Sequence, residues 1–458
     1  MARKARESHG LRAAEEGMHG YHGRILHINL ATGQTQRETF DETFAKTYLG
    51  GNGFAIRLLY ERLAPGTEPL SPDNMIVFAV GPATDTTVPG ATRCFTGTKS
   101  PLTGLFFDST FGGMFAALQK RAGFEAITIT GRAAQPVYLL ITEEGATLKP
   151  ATDLWGQYTR ETNHAIQARE SGEVEVLSIG PAGENLVRYA CAVHTWDKSR
   201  DGVAGRGGLG AVMGSKHLKA IAVTGNRKTT VAHPEAVKTL LNEIREPMKV
   251  GTAGLKNYGT TILVNVINKI GALGVRNLQT EYYDKANEIS GETYKAAYFD
   301  KDTTCFRCPV ACGKDFHVTD GEYAGTRWKM PEYETIFALG SMLDNSHKGS
   351  IVKANELCDQ FGLDTISLGV TMAFAFECFE KGLLTQAQAG QELRFGDYRT
   401  MLALIEATAY RRGLGALLAE GSVRMAEQLG PEASKYLYAV KGLEMPAHSA
   451  RVLKGMSL

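Results

Sequence analysis

The chain has 458 residues, 43% of them hydrophobic and 22% charged, with a formal net charge of +1. That length implies two or three domains, and the composition is that of a globular protein. The near-zero charge gives no electrostatic basis for binding nucleic acid or an anionic membrane, and no apolar run approaches the ~20 residues of a membrane span.

Residues 1–19 read as a disordered or non-native extension; the first 17 are charged and lack the apolar run of a secretory signal. Residues 20–228 read as a β-rich domain, with strands over 23–34, 74–83, 125–133, 136–150, 174–181 and 219–225. Alternation and β-branched residues mark these strands, and Gly and Pro punctuate them. Few helices interrupt; 113–123 is one, closed by glycine. No internal repeat stands out. Beyond residue 228 the apolar period turns helical, over 234–249, 351–362, 366–382, 398–413 and 415–430. Residues 229–435 therefore read as a helical domain and 436–458 as the start of a third. The expected class is α+β, a β-rich N-terminal domain followed by mainly helical ones.

Chemistry concentrates in 305–312, Cys-Phe-Arg-Cys-Pro-Val-Ala-Cys, which holds three of the seven cysteines. The C-x2-C-x3-C spacing brings three soft thiolates within reach of one metal centre, zinc or an iron–sulfur cluster. Pro309 stiffens the loop and removes a backbone donor. A tetrahedral zinc or a four-iron cube calls for four ligands, so a fourth must come from elsewhere. An odd cysteine count built around such a loop points to a reducing compartment, the cytoplasm.

The 51 glycines exceed the usual ~7% and gather at 50–53, 110–113, 180–185 and 204–210. Glycine lets backbone N–H groups approach phosphate closely, which makes Thr110, Gly112, Gly113, Gly183, Ala204 and Gly205 candidate contacts to a phosphorylated cofactor. Arg93 and Arg206 could add forked hydrogen bonds. Residues 205–210 look like a dinucleotide fingerprint but lack the βαβ setting and the following acid. Farther on, Asp359 and Asp364 flank Gly362 and Leu363 at the end of a helix. Those carboxylates can accept hydrogen bonds from a heterocycle, or serve as a helix end and an N-cap.

Together, segments 49–60, 98–104, 180–190, 205–223, 305–313, 331–335, 359–364 and 441–448 resemble the aldehyde ferredoxin oxidoreductase family of tungsten–bispterin enzymes. The resemblance runs over positions 20–458. It implies a β-rich base carrying two pyranopterin dithiolenes whose sulfurs hold tungsten (tungstopterin), with Mg2+ bridging their phosphates and a [4Fe–4S] cluster beside one pterin. By the same resemblance Cys305, Cys308 and Cys312 are cluster ligands, and Arg93 lies near cluster and pterin. Asp359, Gly362, Leu363 and Asp364 form a pterin motif. Thr110 and Ala204 offer carbonyls to Mg2+, and Glu332 or Glu334 is the glutamate near the metal. A second D-x-x-G-L-C motif with the fourth cluster cysteine is not found, nor is the later active-site histidine. His448 precedes that position and reads as structural. The chain is therefore expected to be C-terminally incomplete and to bind cofactor poorly by itself.

The implied function is tungsten-dependent oxidation of an aldehyde to a carboxylic acid, with electrons passing to ferredoxin or an iron–sulfur electron-transfer subunit. An oligomer is expected. The alternatives are the active-site subunit of a benzoyl-CoA reductase, which shares these motifs, and a non-catalytic metal-binding interaction module.

Overall fold

The computed structural model describes residues 18–196, 200–453 and 455. Residues 1–17, expected to be an extension, lie outside the described residues. Met18 and His19, counted with that extension, belong to the described fold: His19 Nδ1 stands 3.2 Å from Thr230 Oγ1, and Gly20 N beside it donates to Thr230 O.

Two six-stranded sheets fill the N-terminal part. The first contains β1 (Arg24–Asn29), β2 (Thr35–Thr39), β3 (Ile76–Ala79), β4 (Cys94–Lys99), β5 (Phe106–Phe111) and β6 (Ala126–Thr130), in the order β2-β1-β6-β3-β4-β5. The second contains β7 (Val137–Thr142), β8 (Gly145–Pro150), β9 (Glu175–Ser178), β10 (Ala192–Trp196), β11 (Arg200–Ala204) and β12 (Leu218–Val223), in the order β11-β10-β9-β12-β7-β8. Taken from the opposite edge, the second order is the first with six added to each number. Only β1–β6 and β7–β12 are parallel; the other pairs run antiparallel.

The expectation of no repeat is thus corrected: the β part is built twice on one plan. Its trace in the sequence is faint. Gly81-Pro82-Ala83 follows β3 and Gly180-Pro181-Ala182 follows β9, while Ala126-Ile127 and Ala220-Ile221 each lead to a Thr-Gly pair. Elsewhere each sheet needs only apolar residues at inward positions, so the identities have diverged without loss of pattern. Leu26, Phe78 and Ile127 of the first sheet share a buried cluster with Leu139, Leu177 and Ile221 of the second. Burial on that scale contributes about 1.5–3 kcal/mol per large aliphatic or aromatic side chain. The edge strands meet across this core, where a Cβ on Gly202 of β11 would stand 2.6 Å from Gly112 O beyond β5.

The helical period begins with Pro234–Gly251, a helix without a buried residue. Lys348–Phe361 and Thr365–Glu380 form the centre of the next core, the second buried on nearly every side. The expected single helix over 415–430 is two, Leu414–Leu418 and Ser422–Leu429, because Gly421 takes φ +86 between them. Ala447 is buried in this same core.

The cysteine loop lies within the segment read as helical, yet it joins strands. It connects β13 (Phe299–Thr303) to β14 (Gly313–His317), which pairs with β15 (Arg327–Lys329) in a small antiparallel sheet. β13 is charged and almost wholly exposed, so it carries no hydrophobic alternation to betray it. Among the described residues no helix is long and apolar enough to cross a membrane.

Candidate cofactor-binding and catalytic site

A cavity of about 720 Å³ opens where the β base meets the cysteine loop and the start of the helix Tyr333–Leu339. Its wall includes Arg93, Gly112, Cys305, Cys308, Cys312, Glu332 and Glu334. Residues that are far apart in sequence therefore converge.

Local geometry explains how the loop is held. Cys308 N donates to Cys305 O at 3.1 Å, closing a turn, and the Thr304 hydroxyl donates to Cys308 O. Phe306 N reaches Gly113 O. Gly112 is required here by space alone, because a Cβ would come 2.6 Å from Cys305 Sγ. Gly113 is required by conformation and space, with φ +108 and the His194 ring 2.6 Å from a Cβ.

Burial pushes the Cys305 thiol above its usual range, opposed by the Gly113 backbone and by Arg93. Cys312 is pushed up mainly by burial, then by Glu332 and the other two cysteines, with Arg93 opposing. A bound metal reverses that balance, since the positive metal holds such groups as thiolates. Among the described residues no group of three or more His, Cys, Asp or Glu side chains is gathered tightly enough for one metal ion. A four-iron cube, whose ligands stand farther apart than those of one ion, suits three thiols spread along one loop.

Next to the loop, where a Cβ on Gly259 would stand 2.8 Å from Cys312 O, the Thr260 hydroxyl donates to exposed Glu332. Glu334 is half-buried and accepts from Ala447 N at 2.9 Å. Burial raises its carboxyl above the usual range; the Ala447 N–H and Arg206 oppose this and Asp364 adds to it. His448, expected to be merely structural, lines the cavity with Nδ1 3.9 Å from Glu334 Oε1 and its ring edge-on to Tyr333.

The acidic motif stands behind this wall. Lys348–Phe361 ends at Gly362, whose φ of +74 makes the left-handed cap the sequence called for. Gly362 O then accepts from Cys191 N, and buried Leu363 bridges to Ala190 of the β base. Both carboxylates already hold protein donors. Asp359 takes Trp328 Nε1 at 2.7 Å and pairs with Lys329 at 3.0 Å. Asp364 caps Thr365–Glu380 through Ile366 N at 2.9 Å and pairs with Arg206 at 3.2 Å. The Arg206 fork, expected to face phosphate, is thus committed to Asp364, Ser367 and Glu444 O.

Gly183 packs one short helix against another, a Cβ there falling 2.8 Å from Gly210 O, and like Thr110, Gly113, Ala204 and Gly205 it lies outside the cavity wall. Gly205 has open space beside it, with nothing nearer than 4.0 Å to a Cβ. Thr110 pairs with Phe95 and Ala204 with Ala192, each partner following a buried cysteine, so the two are counterparts in the duplicated sheets. The 205–210 loop leads from β11 into a helix and then to β12, which is not β11's neighbour, so it has no βαβ setting. Sequence reasoning missed Lys329, Lys314, Arg200 and Trp196 on the cavity wall. Isolated basic and aromatic residues in β segments carry no motif that would have singled them out.

Residues 25–225 match the family model described as aldehyde ferredoxin oxidoreductase, N-terminal domain, and residues 235–458 match domains 2 and 3 of the same family. The chain belongs to the aldehyde ferredoxin oxidoreductase family. The family contains the tungsten-containing aldehyde ferredoxin oxidoreductase of Pyrococcus abyssi, 42% identical over 451 residues, which cover 96% of this chain and 72% of that protein. A WOR-like subunit of an aliphatic sulfonate oxidoreductase from Pyrococcus furiosus is 30% identical over 457 residues, covering 95% and 72%. Among solved structures, the active site complex BamBC of benzoyl coenzyme A reductase with 1,5-dienoyl-CoA superimposes with a TM-score of 0.82 at 28% identity, over 94% of this chain and 66% of that one. Membership in the aldehyde ferredoxin oxidoreductase family makes this chain an oxidoreductase of a tungsten-using kind.

Proposed function

We propose that the protein oxidises an aldehyde with water to a carboxylic acid, releasing two electrons and two protons, and passes the electrons through a [4Fe–4S] cluster to ferredoxin or an electron-transfer subunit. The observation that supports this most is one cavity shared by three loop cysteines, Arg93 and the Glu332–Glu334 segment. The donor set fits the implied groups: thiols suit iron, and Arg93, Arg200, Lys314 and Lys329 suit an anionic pterin cofactor. Tungstopterin, with Mg2+ at its phosphates, supplies the two-electron redox chemistry when bound.

Each residue then has a task. Cys305, Cys308 and Cys312 hold the cluster, with Gly112 leaving room for Cys305. Gly113 lets its turn close onto His194, Gly205 leaves the other turn open to phosphate, and Thr110 and Ala204 would offer Mg2+ their carbonyls. Asp359, with Gly362 and Leu363 setting its turn, holds Lys329 on the cavity wall, Arg206 holds Asp364 in place, and the two carboxylates take up the pterin N–H groups when it binds. Glu334, its carboxyl raised by burial, accepts a proton released as the aldehyde is hydrated and oxidised, with Glu332 beside it at the mouth.

A second reading, the active-site subunit of a benzoyl-CoA reductase, is favoured by the likeness to that structure. The separating experiment is metal analysis of the purified protein followed by viologen-coupled assays with benzaldehyde and with benzoyl-CoA. Tungsten with benzaldehyde oxidation supports the proposal. Turnover of benzoyl-CoA alone supports the second reading, and zinc at the loop of the full-length gene product, without tungsten or iron, returns it to a non-catalytic binding module.

A further inference from the structure

The two residues between Cys305 and Cys308 do more than space the thiols. Arg307 sits in the left-handed region, φ +51, where a non-glycine residue is strained. Its guanidinium reaches across to the β base and donates to Thr86 O at 2.9 Å and Asp85 O at 3.2 Å. Asp85 is itself left-handed, φ +60, and its nearly buried carboxylate is taken by Arg121 through two bonds, at 3.0 and 3.1 Å. The Phe306 ring lies between the cations, 5.5 Å from Arg121 and 4.7 Å from Arg307. Two strained residues, a forked ion pair and a ring between two guanidinium groups thus meet on one side of the cysteine loop.

We propose that Arg307 is a positioning residue that seats the cysteine loop on the β base and raises the reduction potential of the cluster. This rests on the reading of Cys305, Cys308 and Cys312 as cluster ligands. Arg307 binds neutral carbonyls, and Asp85, 4.0 Å away, spends its carboxylate on Arg121. The Arg307 charge is therefore only partly offset, by Asp85 at 4.0 Å and by solvent around a side chain that is 45% exposed. The other charges around the loop are Arg93, Lys314 bound to Ala311 O and Gly313 O and paired with Asp302, Glu332, and Glu173 paired with Arg121. A thiolate-bound cluster gains one negative charge when it takes an electron, and a cation carried between two of its ligands, offset only in part, stabilises that state.

The test compares R307Q and R307K with the parent, all cluster-loaded, by iron per chain, iron loss to a chelator and EPR-monitored redox titration. R307Q should lose iron faster. At the parental midpoint its ratio of oxidised to reduced cluster should rise about ten-fold, a fall of about 59 mV for one electron. R307K should keep the parental midpoint while still losing iron faster. A parental midpoint in R307Q overturns the proposal. Should R307Q not load, D85N carries the test, because removing a negative charge should raise the midpoint, and an unchanged value overturns the proposal. C308A guards the premise: if it keeps full iron and signal, the cluster reading itself is wrong, whatever Arg307 does.

Discussion

Gly112→Ala isolates the fit between the β base and the cysteine loop. The backbone at Gly112 is not left-handed, so alanine brings no conformational strain there. Its only close contact is Cys305 Sγ, 2.6 Å from the new Cβ, while the Arg93 tip at 3.8 Å is in ordinary contact. Ordinary contact begins near 3.4 Å, so the sulfur must retreat by about 0.8 Å in an interior that is already close-packed. Overpacking of this kind costs about 1–3 kcal/mol, too little to unfold the chain. A ligand set tolerates only ~0.5 Å of displacement, so the cluster suffers more than the fold. The expected result is a parental circular dichroism spectrum, a modest loss of thermal stability, and a sharp fall in iron content and EPR amplitude. Gly205→Ala, whose Cβ meets nothing within 3.9 Å, should keep parental stability and iron. Full iron and signal in Gly112→Ala would refute the placement of Cys305 against this glycine.

Asp364→Ala should remove the cap of Thr365–Glu380 and leave Arg206 without its carboxylate, a loss of about 3–5 kcal/mol by denaturant titration, whereas Asp364→Asn, which can still cap, should lose less. Equal losses would contradict the double role. Glu334 carries a raised folded pKa, so the fold binds its proton more tightly than the unfolded chain does. That contribution is full at pH below the ordinary glutamate value and is lost as pH rises through the folded value. Glu334→Gln should therefore gain stability relative to the parent as pH rises through this window, and the acid limb of the parental rate profile should vanish with it. A relative stability independent of pH would show that the carboxyl is not perturbed.

Much of this was legible because the signals are local. The cysteine spacing, the Gly362 stop and the β-to-helical switch near residue 228 are each written within a few residues, and the helices and strands follow from apolar period. What was hidden depends on distance. The duplicated sheets keep only a Gly-Pro-Ala and a Thr-Gly trace, because inward positions constrain size and polarity rather than identity. Gly183 and Gly112 look alike in sequence, yet one packs two helices and the other clears a cysteine, which only the neighbours decide. The partners of Asp359 and Asp364 lie on other elements, so no motif could show that Lys329 and Arg206 already hold them.

The most direct test of the central claim uses the full-length gene product, purified without oxygen from tungsten-supplemented cells, beside its Cys308→Ala variant. Tungsten, iron and benzaldehyde-dependent viologen reduction are measured on both. The account predicts tungsten, iron and aldehyde oxidation in the parent, and loss of cluster signal and turnover in Cys308→Ala. Equal iron and equal turnover in the two proteins would contradict it.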